Sequence, residues 1–69
     1  MPEIAYDRES ATRGADAWLD GEIAEALARF NAAGRTIEAR IVYRDERREA
    51  ARTHDRMIDA IDEKYPQAI

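Results

Sequence analysis

The residue types that most often carry acid–base or nucleophilic catalysis are scarce in this chain. His54 is its one histidine, Ser10 is its one serine, and cysteine is absent. Asp55 follows His54, but adjacent residues on a helix project about 100° apart, so the two side chains do not face each other as an acid–base pair does. Ser10 stands at the start of a predicted helix, in no recognisable arrangement with a base. The sequence therefore predicts His54 as a core or interface residue, and it predicts no catalytic role for His54 or Ser10.

Pro2 offers a second kind of chemistry. Removal of Met1 would leave an N-terminal proline, whose secondary amine can act as a base near neutral pH. A short strand at residues 3–7, a long helix and a second strand at residues 36–44 would follow it. In Pro2 and in this order of elements the chain resembles the 4-oxalocrotonate tautomerase family, in which the terminal proline carries the proton transfer. The resemblance implies a tautomerase-like enzyme that uses Pro2 as one alternative function.

Arginine is concentrated in the middle of the chain, which raises the question of nucleic-acid binding. Residues 35–56 contain seven arginines, and helical spacing would align Arg44, Arg48 and Arg52 in a stripe suited to phosphate contacts. The same segment contains five acids, most of them three or four residues from an arginine. Such neighbours pair on a helix surface. We therefore expect a solvated, salt-bridged helix face and do not predict a nucleic-acid partner.

Acidic side chains lie on both sides of this segment and suggest a different partner. They are Asp16, Asp20, Glu22, Glu25, Asp59, Asp62 and Glu63. A negative surface is steered quickly to a basic groove, which is how phage proteins that block host nuclease or CRISPR complexes often work. An acidic phage-type inhibitor or an antitoxin-like regulator is thus another alternative function, and ordinary solubilising charge is the competing interpretation.

Bulky apolar side chains are too few for a large core. Hydrophobic residues make up 45% of the 69 residues, but 14 of them are alanine, and Leu, Ile, Val and Phe together number only 11. A core in a chain of this size rarely supplies more than about 3–5 kcal/mol. Disulfides and thiolate zinc sites need cysteine, and one histidine argues against a closed metal site, so we predict no cofactor and no metal. Association with another macromolecule is the expected source of further stability.

Membrane and targeting segments are not predicted. The first 20 residues contain five acids and no apolar run, and no stretch approaches the roughly 18 apolar residues of a membrane span. We expect one small domain over residues 1–69, located in the cytoplasm of a bacterium or a phage-infected cell.

The first predicted element is a helix over residues 9–33. At about 100° per residue its apolar side chains fall within an arc of about 120°. They are Ala15, Leu19, Ile23, Ala26, Leu27, Phe30 and Ala33. Trp18 lies at the edge of this stripe. Gly34 is a typical helix stop, and Asp20 before Gly21 is an alternative start for a fresh helix.

A second helix is predicted over residues 45–64, opened by Asp45 and Glu46 and closed before Pro66. One side of it carries Tyr43, Ala50, Ala51, His54, Met57, Ile58, Ile61 and Tyr65. The two helices would form an antiparallel hairpin. In that hairpin we expect the apolar stripe of the first helix, including Leu19 and Phe30, to face Met57, Ile58 and Ile61.

Residues 36–44 decide the architecture. Ile37, Ala39, Ile41 and Tyr43 alternate with charged residues, with Val42 as the one exception, and this is the period of a half-buried strand. Helix is the equal alternative, but Ile37 and Ile41 would then lie about 120° from the second helix's apolar side at 100° per residue. One straight helix would need two apolar faces, and a second partner, as in a four-helix dimer, would cover the extra one.

These patterns predict a mainly α fold, a two-helix antiparallel hairpin, with a small βαβα domain as the alternative. The predicted function is non-enzymatic protein–protein interaction, in which the chain folds as a homodimer or on a larger protein partner. The interface residues predicted for it are Trp18, Leu19, Ile23, Leu27, Phe30, Ile37, Ile41, Tyr43, His54, Met57, Ile58 and Ile61. The outer contact is expected around Trp18, Ile37, Ile41 and Tyr43.

Overall fold

Two long helices form the described part of the chain. The computed structural model describes residues 7–65, in which α1 spans Arg8–Ala32 and α2 spans Ile37–Lys64. The helices run antiparallel: Arg8 Nη1 at the start of α1 donates a hydrogen bond of 3.1 Å to the carbonyl oxygen of Tyr65, just beyond α2. No strand occurs between residues 7 and 65. The predicted helical hairpin is confirmed, and the βαβα alternative is not supported.

α1 begins at a side-chain cap and continues without a break. The carboxylate of Asp7 accepts a 2.9 Å hydrogen bond from the backbone N–H of Ser10, one of the donors that the first helical turn leaves unpaired. The alternative start at Asp20 is wrong, because Asp20 and Gly21 lie within the continuous helix.

The turn between the helices follows from Gly34. Its φ of 80° is the left-handed conformation that glycine adopts without steric cost. The N–H of Gly34 donates to the carbonyl of Asn31, and the N–H of Arg35 donates to that of Phe30, each over 3.1 Å. This pair of bonds is a Schellman motif, and it satisfies carbonyls at the end of α1. Gly34 is therefore the helix stop that the sequence predicted.

α2 begins at Ile37, not at Asp45 as predicted. The hydroxyl of Thr36 caps it by accepting a hydrogen bond of 3.1 Å from the N–H of Ala39, and Glu38 lies in the first turn, where negative charge is favourable. Residues 37–44 are thus the first two turns of α2, so the helical alternative for this segment is confirmed and the strand alternative is wrong.

The longer α2 changes which residues meet. The ring of Phe30 stacks on that of Tyr43, with centroids 5.3 Å apart. Met57 and Ile61 lie near the start of α1, where they line one groove with Ala11. Phe30 therefore packs against Tyr43 and not, as expected, against Met57 and Ile61. The reason is that α2 begins at Ile37, so its first turns, which include Tyr43, lie beside the end of α1.

The tautomerase-like layout does not fit this fold. Its second strand, at residues 36–44, is helical, and its first strand would have to end at Asp7, which caps α1. Pro2 and residues 3–6 lie outside the described residues. The second strand on which the resemblance rested is therefore not present in residues 7–65.

Candidate protein-interaction surface

The interior of the hairpin is built mainly from alanine. The buried hydrophobic side chains are Ala11, Ala15, Ala26, Phe30 and Ala50, and Phe30 is 9% exposed. Small side chains let two helices approach closely, but each removes little apolar area from water. Within residues 7–65 the hairpin therefore has one large buried side chain.

That large side chain belongs to a cluster of two aromatic rings and two arginines near the turn. Arg35 lies 5.3 Å above the centroid of the Phe30 ring, and Arg47 lies 5.5 Å from that of Tyr43. A guanidinium over an aromatic face is favourable by about 0.5–1 kcal/mol at an exposed site. Two of the seven central arginines therefore cover the aromatic pair, a structural role that their charge pattern alone did not predict.

His54 forms a polar contact between the helices. Its Nε2 lies 2.8 Å from a carboxylate oxygen of Asp16 on α1, and the histidine side chain is 18% exposed. Neighbouring Asp55 is exposed and takes no part. The structure therefore places His54 between the helices, where a histidine held by a carboxylate ties the two elements together.

Two further ion pairs join the helices nearer their ends. At the open end, Arg8 lies 2.5 Å from Asp62. Towards the turn, Arg29 donates through Nε to Glu46 over 2.9 Å and makes a second contact through Nη2. Its hydrogen bond with Glu46 raises the pKa of Arg29 above its usual value. With the Asp16–His54 contact, these pairs set the register of the hairpin at three levels.

Large apolar side chains remain exposed near the turn. Ile37 is 76% exposed, Val42 53%, Ile41 47% and Leu27 41%. Isolated exposed apolar residues are ordinary, but these four all belong to the part of the hairpin near the turn, in a molecule that buries few large side chains. These four residues are the main candidates for contact with another protein.

Two open grooves run between the helices, one on each side of the hairpin. On one side Leu19 and Ile23 lie against the α2 residues Arg44, Arg48 and Ala51. This groove combines half-buried aliphatic side chains with arginines.

Trp18 and Glu22 line the groove on the other side, together with Glu46. Trp18 and Leu19 are consecutive residues of α1, so their side chains project about 100° apart around the helix. The two side chains therefore line different grooves. Trp18 therefore does not share a surface with Leu19 and Ile23.

The residues predicted as an interface separate into three groups. Phe30 and Tyr43 stack inside the hairpin. Those half-buried along its length are Trp18, Leu19, Ile23, His54, Met57, Ile58 and Ile61. Leu27, Ile37 and Ile41 are exposed. The outer contact expected around Trp18, Ile37, Ile41 and Tyr43 is thus divided, since Tyr43 turns inward and Trp18 lines a groove.

Sequence reasoning missed two features of this surface. Val42 was not among the predicted interface residues, although it is as exposed as Ile41. The Asp16–His54 contact joins residues 38 positions apart, and no local pattern indicates it. The exposure of Val42 could be predicted once residues 37–44 were assigned to a helix. Tyr43 faces α1, and Val42, as the residue before it, projects about 100° away.

The described part of the chain has no cluster of metal ligands and no membrane-spanning helix. Among residues 7–65, no group of three or more His, Asp or Glu side chains could hold a metal ion. Neither α1 nor α2 is long and apolar enough to cross a membrane. Comparison of the chain with protein-family models, with curated proteins and with solved structures gives no match.

Proposed function

We propose that this chain is a non-enzymatic protein-interaction module whose hairpin gains apolar burial by association. The observation that carries the proposal is the distribution of bulky side chains. The buried set contains four alanines and Phe30, whereas Leu27, Ile37, Ile41 and Val42 are exposed. These four exposed aliphatic side chains are available to a second molecule.

The energetics support the same conclusion. Fully burying an Ile or Leu side chain contributes roughly 1.5–3 kcal/mol, and a whole small domain is stable by only about 5–15 kcal/mol. The exposed residues Ile37, Ile41 and Leu27 therefore represent a large fraction of the stability that a chain of 69 residues can have. Association supplies this contribution when it covers them.

Polar contacts within the hairpin suit an interaction module better than an enzyme. The Nε2 of His54 is occupied by Asp16 on the neighbouring helix, as expected of a histidine that positions two elements. Ser10 follows the cap of α1, and its N–H donates to Asp7. The His54 side chain therefore has a structural partner in Asp16, and the backbone of Ser10 belongs to the cap of α1.

Sedimentation velocity and thermal unfolding of the full chain, over about a hundredfold range of concentration, test the proposal. We expect either a mass above that of the monomer with a melting temperature that rises with concentration, or a chain that remains largely unfolded on its own. A monomer with a sharp melt independent of concentration would overturn the proposal, because such a chain needs no partner for stability.

A further inference from the structure

A regular set of side chains runs along a face of α2 that α1 leaves uncovered. From Ile37 onward the positions alternate spacings of four and three residues, as in helices that pair side by side. We call this set the outer seam, and it comprises Ile37, Ile41, Arg44, Arg48, Ala51, Asp55, Ile58 and Asp62. All of them are exposed except Ile58, which is half-buried. Off the seam, α2 packs against α1 through Tyr43, Ala50 and His54. At the end of the seam, Asp62 pairs with Arg8 of α1.

The side chains of the outer seam are complementary to those of a second outer seam that runs in the opposite direction. When two copies are placed antiparallel about the midpoint between residues 49 and 50, Ile41 of one copy meets Ile58 of the other. In the same alignment Arg44 of one copy meets Asp55 of the other. Each contact occurs twice, once on either side of the midpoint. An apolar pair and an opposite-charge pair therefore arise from a single register.

The remaining positions are compatible with this alignment. Nearest the midpoint, Arg48 meets Ala51, whose small side chain leaves room for a guanidinium. At the two ends, Ile37 meets Asp62. The charge of Asp62 is already compensated, because Arg8 of the same chain lies 2.5 Å from it. No seam residue lies directly opposite a like charge in this alignment, and the two Arg48 side chains, on either side of the midpoint, each face an alanine.

A parallel pairing does not have this property. Every residue would then meet its own counterpart, and Arg44, Arg48 and Asp55 would each face a like charge. A twofold-symmetric interface requires one half of a surface to match the other half. Binding to an unrelated protein places no such requirement on α2, so the match favours a second copy over a different partner.

α1 adds apolar surface beside the outer seam. Leu19 and Ile23 line the groove that also contains Arg44, Arg48 and Ala51 of the seam. A second α2 lying on the seam therefore also approaches these two α1 side chains. Two hairpins joined in this way form a four-helix arrangement, in which aliphatic residues from both helices are covered.

We propose that the outer seam binds a second copy of this chain, with the two α2 helices antiparallel about a twofold axis that crosses them between Glu49 and Ala50. The proposal rests on the interaction function proposed above and names its partner. Ile41 and Ile58 supply the apolar contacts, and Arg44 and Asp55 determine the direction of pairing.

Charge reversal provides the main test, with the dissociation constant of the full chain measured by sedimentation equilibrium. Arg44→Asp places two carboxylates opposite each other, and Asp55→Arg places two guanidinium groups opposite each other. We expect each single variant to bind itself about tenfold more weakly than the unmodified chain. An equimolar mixture of the two variants restores both opposite-charge pairs, and so does the double variant Arg44→Asp/Asp55→Arg. Both should return to within about threefold of the original affinity.

Arg56→Asp is the matched control, since Arg56 is an exposed arginine of α2 that lies off the outer seam. It should leave the dissociation constant within about threefold of that of the unmodified chain. Circular dichroism of each variant at high protein concentration establishes that the helices are intact, so a loss of affinity can be separated from a loss of folding.

Disulfide trapping tests the register independently, because the chain has no cysteine of its own. In the antiparallel alignment a mixture of Ile41→Cys and Ile58→Cys chains should form a covalent dimer on mild oxidation, whereas each variant alone should not. A covalent dimer of Ile41→Cys alone would indicate parallel pairing and would overturn the proposed seam.

The outcomes separate this proposal from the function on which it rests. A dimer whose affinity ignores the charge reversals overturns the seam and leaves the interaction function in place. A chain that stays unfolded alone at every concentration overturns the second copy as partner and points to a different protein. A folded, concentration-independent monomer overturns both.

Discussion

The face of α2 that packs against α1, the inner face, and the outer face that contains the outer seam have different kinds of side chains. The inner face contacts α1 through one aromatic stack, a buried alanine and polar ties, represented by Tyr43, Ala50 and His54. On the outer face, Ile37 and Ile41 are exposed, with two arginines and two aspartates farther along the helix. The inner face carries the directional contacts that join the two helices, and the outer face combines exposed isoleucines with charged side chains. The first therefore sets the register of the hairpin, and the second provides area for association.

The largest expected effect separates two neighbouring exposed residues of α2. Ile41 and Val42 are 47% and 53% exposed in the hairpin, so Lys at either position should cost the isolated hairpin little. Only Ile41 lies on the outer seam. Ile41→Lys replaces two apolar contacts per dimer and should weaken dimerisation by about 4 kcal/mol, roughly a thousandfold in the dissociation constant.

Val42→Lys is the control for that substitution and should change the dissociation constant by less than about threefold. Sedimentation equilibrium on both variants measures the difference. Equal losses of affinity at the two positions would remove the distinction between the outer seam and the rest of the exposed surface.

On the inner face, Phe30 is expected to dominate. Phe30→Ala removes the one large buried side chain, its stack on Tyr43 and the surface that Arg35 covers. We expect a loss of about 3 kcal/mol in the free energy of unfolding. Leu27→Ala on the same helix should cost about 1 kcal/mol, since Leu27 is 41% exposed. Urea unfolding at one fixed protein concentration measures both, and similar losses would show that the hairpin has no core of its own at the turn.

The structure explains why residues 36–44 were ambiguous in the sequence. Ala39 and Tyr43 lie four residues apart on the inner face, and Ile37 and Ile41 lie four residues apart on the outer face. Two helical spacings offset by two residues produce an alternation of period two, which is also the pattern of a strand. Local signals favoured helix, because Gly34 ends one helix and Thr36 is a suitable cap for the next.

The helices themselves could be predicted more easily than the contacts between them. α1 spans Arg8–Ala32 where residues 9–33 were expected, because its apolar stripe and Gly34 are local features. The partners of His54 and Phe30 depend instead on where the turn lies and on the true start of α2. Moving that start from residue 45 to Ile37 gives Phe30 a new partner in Tyr43. The contacts between the helices could therefore not be predicted from the sequence while the start of α2 was undecided.

Two glycines should respond in opposite directions to the same substitution. A Cβ at Gly21 or at Gly34 meets no atom within 4 Å, so neither change creates a clash. Gly21 lies in the middle of α1, and Gly21→Ala should stabilise the fold by about 1 kcal/mol through helix propensity. Gly34 has a φ of 80°, and Gly34→Ala should destabilise it by about 1 kcal/mol through left-handed strain. Thermal unfolding measures both, and a loss at Gly21 would indicate that a partner packs against that side of α1.

The smallest expected effect concerns pH and the cap of α1, which lies on neither face of α2. The hydrogen bond from the backbone N–H of Ser10 lowers the pKa of Asp7 below its usual value. A carboxyl whose pKa is lower in the folded state stabilises the fold above its unfolded pKa of about 3.9 and loses that contribution as the pH falls through the folded pKa. Asp7→Asn keeps an oxygen that can accept the Ser10 bond but does not titrate.

The difference in melting temperature between the unmodified chain and Asp7→Asn should therefore be largest near neutral pH and should narrow below about pH 4. Subtraction cancels the titration of all the other carboxylates, which both chains share, and so isolates the cap. Because the site is exposed, salt should reduce the difference at neutral pH. A difference that stays constant from neutral to acidic pH would mean that the negative charge of Asp7 contributes nothing to the start of α1, and that the cap acts through its hydrogen bond alone.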